Sequence, residues 1–64
     1  MCLSAVYKKE TTPENLILGN VQRIECQDGT IVLTDIMERQ VAVEGTILMA
    51  DLVGGKVILA PKEA

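Results

Sequence analysis

Short apolar runs broken by turn residues dominate the pattern along the chain. Val41 and Val43 alternate with polar neighbours in Arg39-Gln40-Val41-Ala42-Val43-Glu44, and Ile31 and Leu33 share one face opposite Val32 and Thr34. This period of two is the signature of half-buried strands. Val, Ile and Thr together number 18 residues, a β-branched load that favours strands over helices. Pro13, Gly19-Asn20, Asp28-Gly29, Gly45, Gly54-Gly55 and Pro61 punctuate the chain too closely for a long amphipathic helix. Asp28-Gly29 between two apolar runs is a hairpin signal.

The pattern predicts seven short antiparallel strands: Cys2–Lys8, Asn15–Leu18, Val21–Gln27, Thr30–Asp35, Arg39–Val43, Ile47–Val53 and Lys56–Ala60. Residues 35–39 read as a turn or a single helical turn. Many short strands with little helix imply an all-β fold, a small SH3-like or Sm-like barrel, because closing the sheet removes exposed edges. The reading is of one domain over residues 1–64, with a frayed tail at 61–64. Ile47-Leu48-Met49-Ala50 is apolar on both faces, so this strand is either sandwiched within the chain or meets another subunit.

Size and charge narrow the function. The 64 residues bury only about 60% of the surface their unfolded chain exposes, so a domain of this size often needs a metal, a disulfide or a second subunit. No apolar run approaches the roughly 20 residues that span a bilayer, and Met1 to Val6 does not read as a signal peptide, so a cytoplasmic location without membrane contact is expected. A net charge of −3 and a single aromatic, Tyr7, oppose nucleic-acid binding. The chain has no His, paired carboxylates or room for a sizeable pocket, which argues against an enzyme.

Cys2 and Cys26 match no zinc-finger or C-x-x-C spacing. Cys26 follows Ile24 by two residues and reads as a small buried hydrophobe. The acidic side chains, spread along the chain, read as solvated strand edges. Cys2 differs from Cys26 through its neighbours. A terminal Met1 amine, the Cys2 amide and the Cys2 thiolate can reach one ion through five-membered chelate rings. Without Met1, the Cys2 amine and sulfur remain, and two chains at a two-fold axis would supply an N₂S₂ set. Such tetragonal sites favour Ni(II) or Cu(II), while the thiolate selects against hard cations.

Met1-Cys2-Leu3, then Gly19, Val21 and Ile24, and the run from Gly29 to Ile36 resemble the CooT family of small nickel-binding proteins. Val43-Glu44-Gly45 and the stretch from Ala50 to Leu59 extend this likeness over nearly the whole chain. The resemblance implies a small β-barrel that forms a homodimer. It implies one nickel(II) per dimer, held by the Cys2 thiolates with backbone around Met1 and Leu3 as further ligands. The implied role is as an accessory protein in maturation of carbon monoxide dehydrogenase or another nickel enzyme. Family members are also labelled RNA-binding by fold analogy, so an RNA-binding Sm-like module is the alternative.

Overall fold

The computed structural model describes residues 3–62. Five strands form a closed barrel: β1 (Ser4–Lys8), β2 (Leu16–Gln27), β3 (Thr30–Asp35), β4 (Gln40–Asp51) and β5 (Lys56–Pro61). A single 3-10 turn over Pro13–Asn15 precedes β2. The all-β barrel expected from the alternation is present, but with five strands in place of seven.

The difference lies at Gly19-Asn20 and Gly45, which bend strands instead of ending them. The first part of β2 pairs with β1 through Leu16, Leu18 and Val21, and the second part, Val21 to Gln27, pairs with β3. In β4, Gln40 to Glu44 pair with β3 and Gly45 to Asp51 pair with β5. Asn20 takes a left-handed φ of 53° at the first bend, and its carbonyl accepts the Ile36 N–H at 3.0 Å. Gly45 has φ 152°, and a Cβ there would strike the Ala60 carbonyl and lie 2.8 Å from Pro61 Cα. Each long strand thus turns a corner of the barrel, as bends and bulges commonly do.

Four neighbouring pairs are antiparallel and one is not. An odd number of strands joined up and down leaves the first and last pointing the same way. β1 therefore closes on β5 in parallel, with Ala5 opposite Lys56 and Lys8 opposite Leu59. Asp28 and Gly29 both have positive φ, 52° and 80°. They join Gln27 to its partner Thr30 in the primed-type hairpin that the dipeptide signals. Of the tail expected at 61–64, residues 63–64 lie outside the described residues; Pro61 pairs with Gly45, and the Lys62 N–H donates to the Glu44 carbonyl at 2.6 Å.

The core is small. Val6, Val21, Ile31, Leu33, Val57 and Leu59 are buried, with Ile17, Leu18, Ile24 and Val43 packed against them. From β1 the buried residue is Val6, while Leu3, Ala5 and Tyr7 are only half-buried. Outside this core, Ile47, Leu48, Met49, Leu52 and Val53 are exposed, so the apolar stretch of β4 is not sandwiched within the chain. Among the described residues no helix is long and apolar enough to cross a membrane.

Candidate functional site

Cys2 and Met1 lie outside the described residues; Leu3, the third residue of the expected ligand segment, lies within them. The segment that follows Cys2 is fixed from both sides. Ser4 pairs with Val21 of β2. The Ala5 N–H donates to the Gly55 carbonyl at 2.8 Å, and the Leu3 carbonyl sits 3.3 Å from where a Gly55 Cβ would be. Gly55 has φ 72°, so its lack of a side chain serves both the turn and this close approach.

A cleft of about 270 Å³ opens beside this segment, lined by Ser4, Val21, Gln22, Arg23, Ile24, Leu52 and Val57. Its walls mix apolar and polar groups without a nucleophile–base pair, so it offers no catalytic constellation. Arg23 is turned to Glu25 at 3.3 Å, and Arg39 to Asp35 at 2.8 Å. Both arginines are thus engaged by carboxylates, which weakens their hold on phosphates.

Cys26 is exposed, not buried. Its cross-strand partner Ile31 is buried, but Cys26 sits beside the Asp28-Gly29 hairpin, at the rim where the barrel stops covering that face. It lies five residues along β2 from Val21, the partner of Ser4, or about 16 Å of strand. The fold therefore does not bring Cys26 to the amino-terminal segment. Met37 and Met49, the other soft side chains, are also exposed. Among the described residues no three His, Cys, Asp or Glu side chains cluster in a metal-binding arrangement.

One polar group escaped the sequence reading. Asp35 is 1% exposed, where a solvated strand edge was expected. Its Oδ1 accepts the Met37 and Arg39 N–H groups, both at 2.9 Å. Its Oδ2 accepts Arg39 Nε at 2.8 Å. Burial pushes the Asp35 carboxyl up, but the two backbone donors and the guanidinium together hold it below its ordinary value. Gln22 of β2 donates to the Glu38 carboxylate in the same turn. The signal was available as an Asp at the head of Asp35-Ile36-Met37-Glu38-Arg39, since Asp caps its own turn readily.

The family model described as CO dehydrogenase accessory protein CooT matches residues 1–60. No curated protein matches the sequence.

Proposed function

The chain belongs to the CooT family of CO dehydrogenase accessory proteins, and from that premise we propose that it is a nickel-binding accessory protein and not an enzyme. Two chains form a homodimer and hold one nickel(II) between them. Cys2 supplies the thiolate from each chain, and backbone around Met1 and Leu3 completes the ligand set. The client is carbon monoxide dehydrogenase or another nickel enzyme, in the cytoplasm.

The observation that carries this reading is the anchoring of the segment directly after Cys2. Hydrogen bonding and pairing at Ser4 and Ala5 to two different strands and a turn fix where that segment leaves the barrel. A ligand attached to a fixed backbone loses less freedom on binding than one on a loose tail. The donor set suits the ion, because thiolate and backbone nitrogen in a tetragonal arrangement are what Ni(II) prefers. The other thiol is remote, and the chain has no imidazole to compete. Nickel bound there would be carried and handed on, without substrate turnover. The chain's own residues position the thiolates and keep the pair of chains together.

The test is calorimetric titration of Ni(II) into the wild-type protein and into Cys2→Ser. The expected result is loss of binding in Cys2→Ser with the β signal in circular dichroism unchanged. Full nickel stoichiometry in the variant would end the proposal. Affinity should also rise with pH, since thiol and backbone nitrogen must lose protons to bind.

A further inference from the structure

We propose that the open edge of β4 from Thr46 to Ala50 takes up an extended apolar segment of another protein, flanked by basic residues, as an added strand. This stands whether or not Cys2 holds nickel. β4 changes partners at Gly45. Before that corner Gln40 to Glu44 pair with β3, and from the corner on Gly45 to Asp51 pair with β5. β3 begins at Thr30, opposite Glu44, and the Gly45 N–H reaches the Gly29 carbonyl in the hairpin before it. Past that point no described strand lies on the β3 side of β4. The Glu44 carbonyl accepts the Lys62 N–H on the β5 side, while the Gly45 N–H points to the other side. Backbone groups alternate along an antiparallel strand, so the Ile47 N–H is turned to the open side.

The side chains here are as uncovered as the backbone. Ile47 is 42% exposed, Leu48 59% and Met49 38%, and Ala50 is also exposed. Successive residues of a strand point to opposite faces, so both faces of this edge are apolar and open. Sheet edges are ordinarily guarded by charged side chains, proline or a covering element. The end of β2 that runs past β1 follows that rule, with the Arg23–Glu25 ion pair along it. Between Glu44 and Asp51, β4 has no ionisable side chain and no proline. It has one guard, a register shift between Ile47 and Met49 that marks a bulge at Leu48. A bulge twists the strand and disfavours the flat stacking of many chains. It does not prevent a single short strand from pairing beside it.

Charge decides what that strand is. Glu44 and Asp51 bracket the apolar stretch, one at each end. Lys62 and Lys56 lie opposite them on β5, one strand further from the edge. The carboxylates are therefore the charges nearest an incoming strand, and they fit a segment that is apolar in the middle and basic at both ends. A second copy of this chain fits poorly. Its own β4, antiparallel about a two-fold axis through the middle of the stretch, would set Glu44 against Asp51 at both ends. Like charges directly opposite each other destabilise a strand pair, and a net charge of −3 on each chain adds to the repulsion.

Fluorescence anisotropy with labelled peptides of about eight residues tests this on the full chain. The probe alternates Val and Thr with Lys at each end. Its two comparisons carry Glu at each end, or the Lys ends with every second backbone nitrogen methylated. The expected result is binding of the Lys-ended peptide, about tenfold weaker binding of the Glu-ended one, and none of the methylated one. Leu48→Gln should weaken the Lys-ended peptide about tenfold, while Leu16→Gln, an exposed leucine on β2, should leave it unchanged. Glu44→Gln combined with Asp51→Asn should narrow the preference for Lys ends, and this neutral pair tests the charge argument without touching the apolar stretch. No binding by the wild type, equal binding of the Lys-ended and Glu-ended peptides, or retained binding of the methylated peptide overturns the proposal. So does an unchanged affinity in Leu48→Gln. Wild-type self-association that Leu48→Gln abolishes also overturns it, because the edge would then be closed by a second copy.

Discussion

Arg39 Nε donates to the carboxylate of Asp35 at 2.8 Å across the β3–β4 turn, with the acid buried and the base largely in solvent. The two partners do not matter equally. Asp35 also accepts the Met37 and Arg39 backbone N–H groups, so removing it frees three donors, whereas removing the guanidinium frees one acceptor position. Arg39→Ala should cost about 0.5–1 kcal/mol, because the guanidinium is largely in solvent and the buried carboxylate keeps its two backbone donors. Asp35→Ala should lower the denaturation midpoint further. Urea melts of the two variants check the order, and equal loss would contradict it.

The same carboxylate makes stability depend on pH. Its folded-state pKa lies below the ordinary 3.8, so the unfolded chain binds the proton more readily. Its contribution is fully present above the unfolded value and is lost as pH falls through the lower folded value. Thermal melts should therefore weaken below about pH 4 in the wild type. Asp35→Asn should be less stable at neutral pH and should lack this part of the acid dependence. An unchanged acid slope in Asp35→Asn would remove Asp35 from the account.

Two glycines should respond differently to the same change. Gly29 has a left-handed φ of 80° but open space around it, so Gly29→Ala should cost about 1 kcal/mol from backbone strain alone. Gly45 has φ 152°, which a side chain would strain, and an added Cβ would meet Ala60 and Pro61. Gly45→Ala should cost roughly 2–3 kcal/mol. Because Gly45 sets the corner of β4, hydrogen exchange should also quicken at the residue 45 and Lys62 amides, which donate to the Gly29 and Glu44 carbonyls. Equal costs at the two positions would contradict the steric argument.

Cys26→Ser should leave both fold and nickel binding intact. The residue is exposed beside a hairpin, and surface substitutions of this kind stay within about 0.5 kcal/mol. Loss of nickel stoichiometry in this variant would mean that the wrong sulfur has been assigned.

Most of the barrel was legible before its structure. The alternation at Ile31–Leu33 and Val41–Val43 located β3 and the first part of β4, and Asp28-Gly29 marked its hairpin with the correct turn chemistry. The strand count failed because Gly19-Asn20 and Gly45 look locally like turns. Whether such residues reverse a strand or bend it depends on which neighbours pair on either side, and a single chain segment does not encode that. Cys26 was misread for a related reason. It shares a face with the core through Ile31, but the barrel ends before covering it. Asp35 was misread because its burial comes from the β2 corner at Asn20-Val21, far away in sequence. The Cys2 site was legible only as chemistry and family likeness, since Met1 and Cys2 lie outside the described residues.

Native mass spectrometry of the wild-type chain and of Cys2→Ser, each with added Ni(II), tests the central claim most directly. The wild type should appear as two chains carrying one nickel ion, and Cys2→Ser as two chains carrying none. Nickel on single wild-type chains, or the same nickel-loaded dimer in Cys2→Ser, would contradict a shared amino-terminal thiolate site.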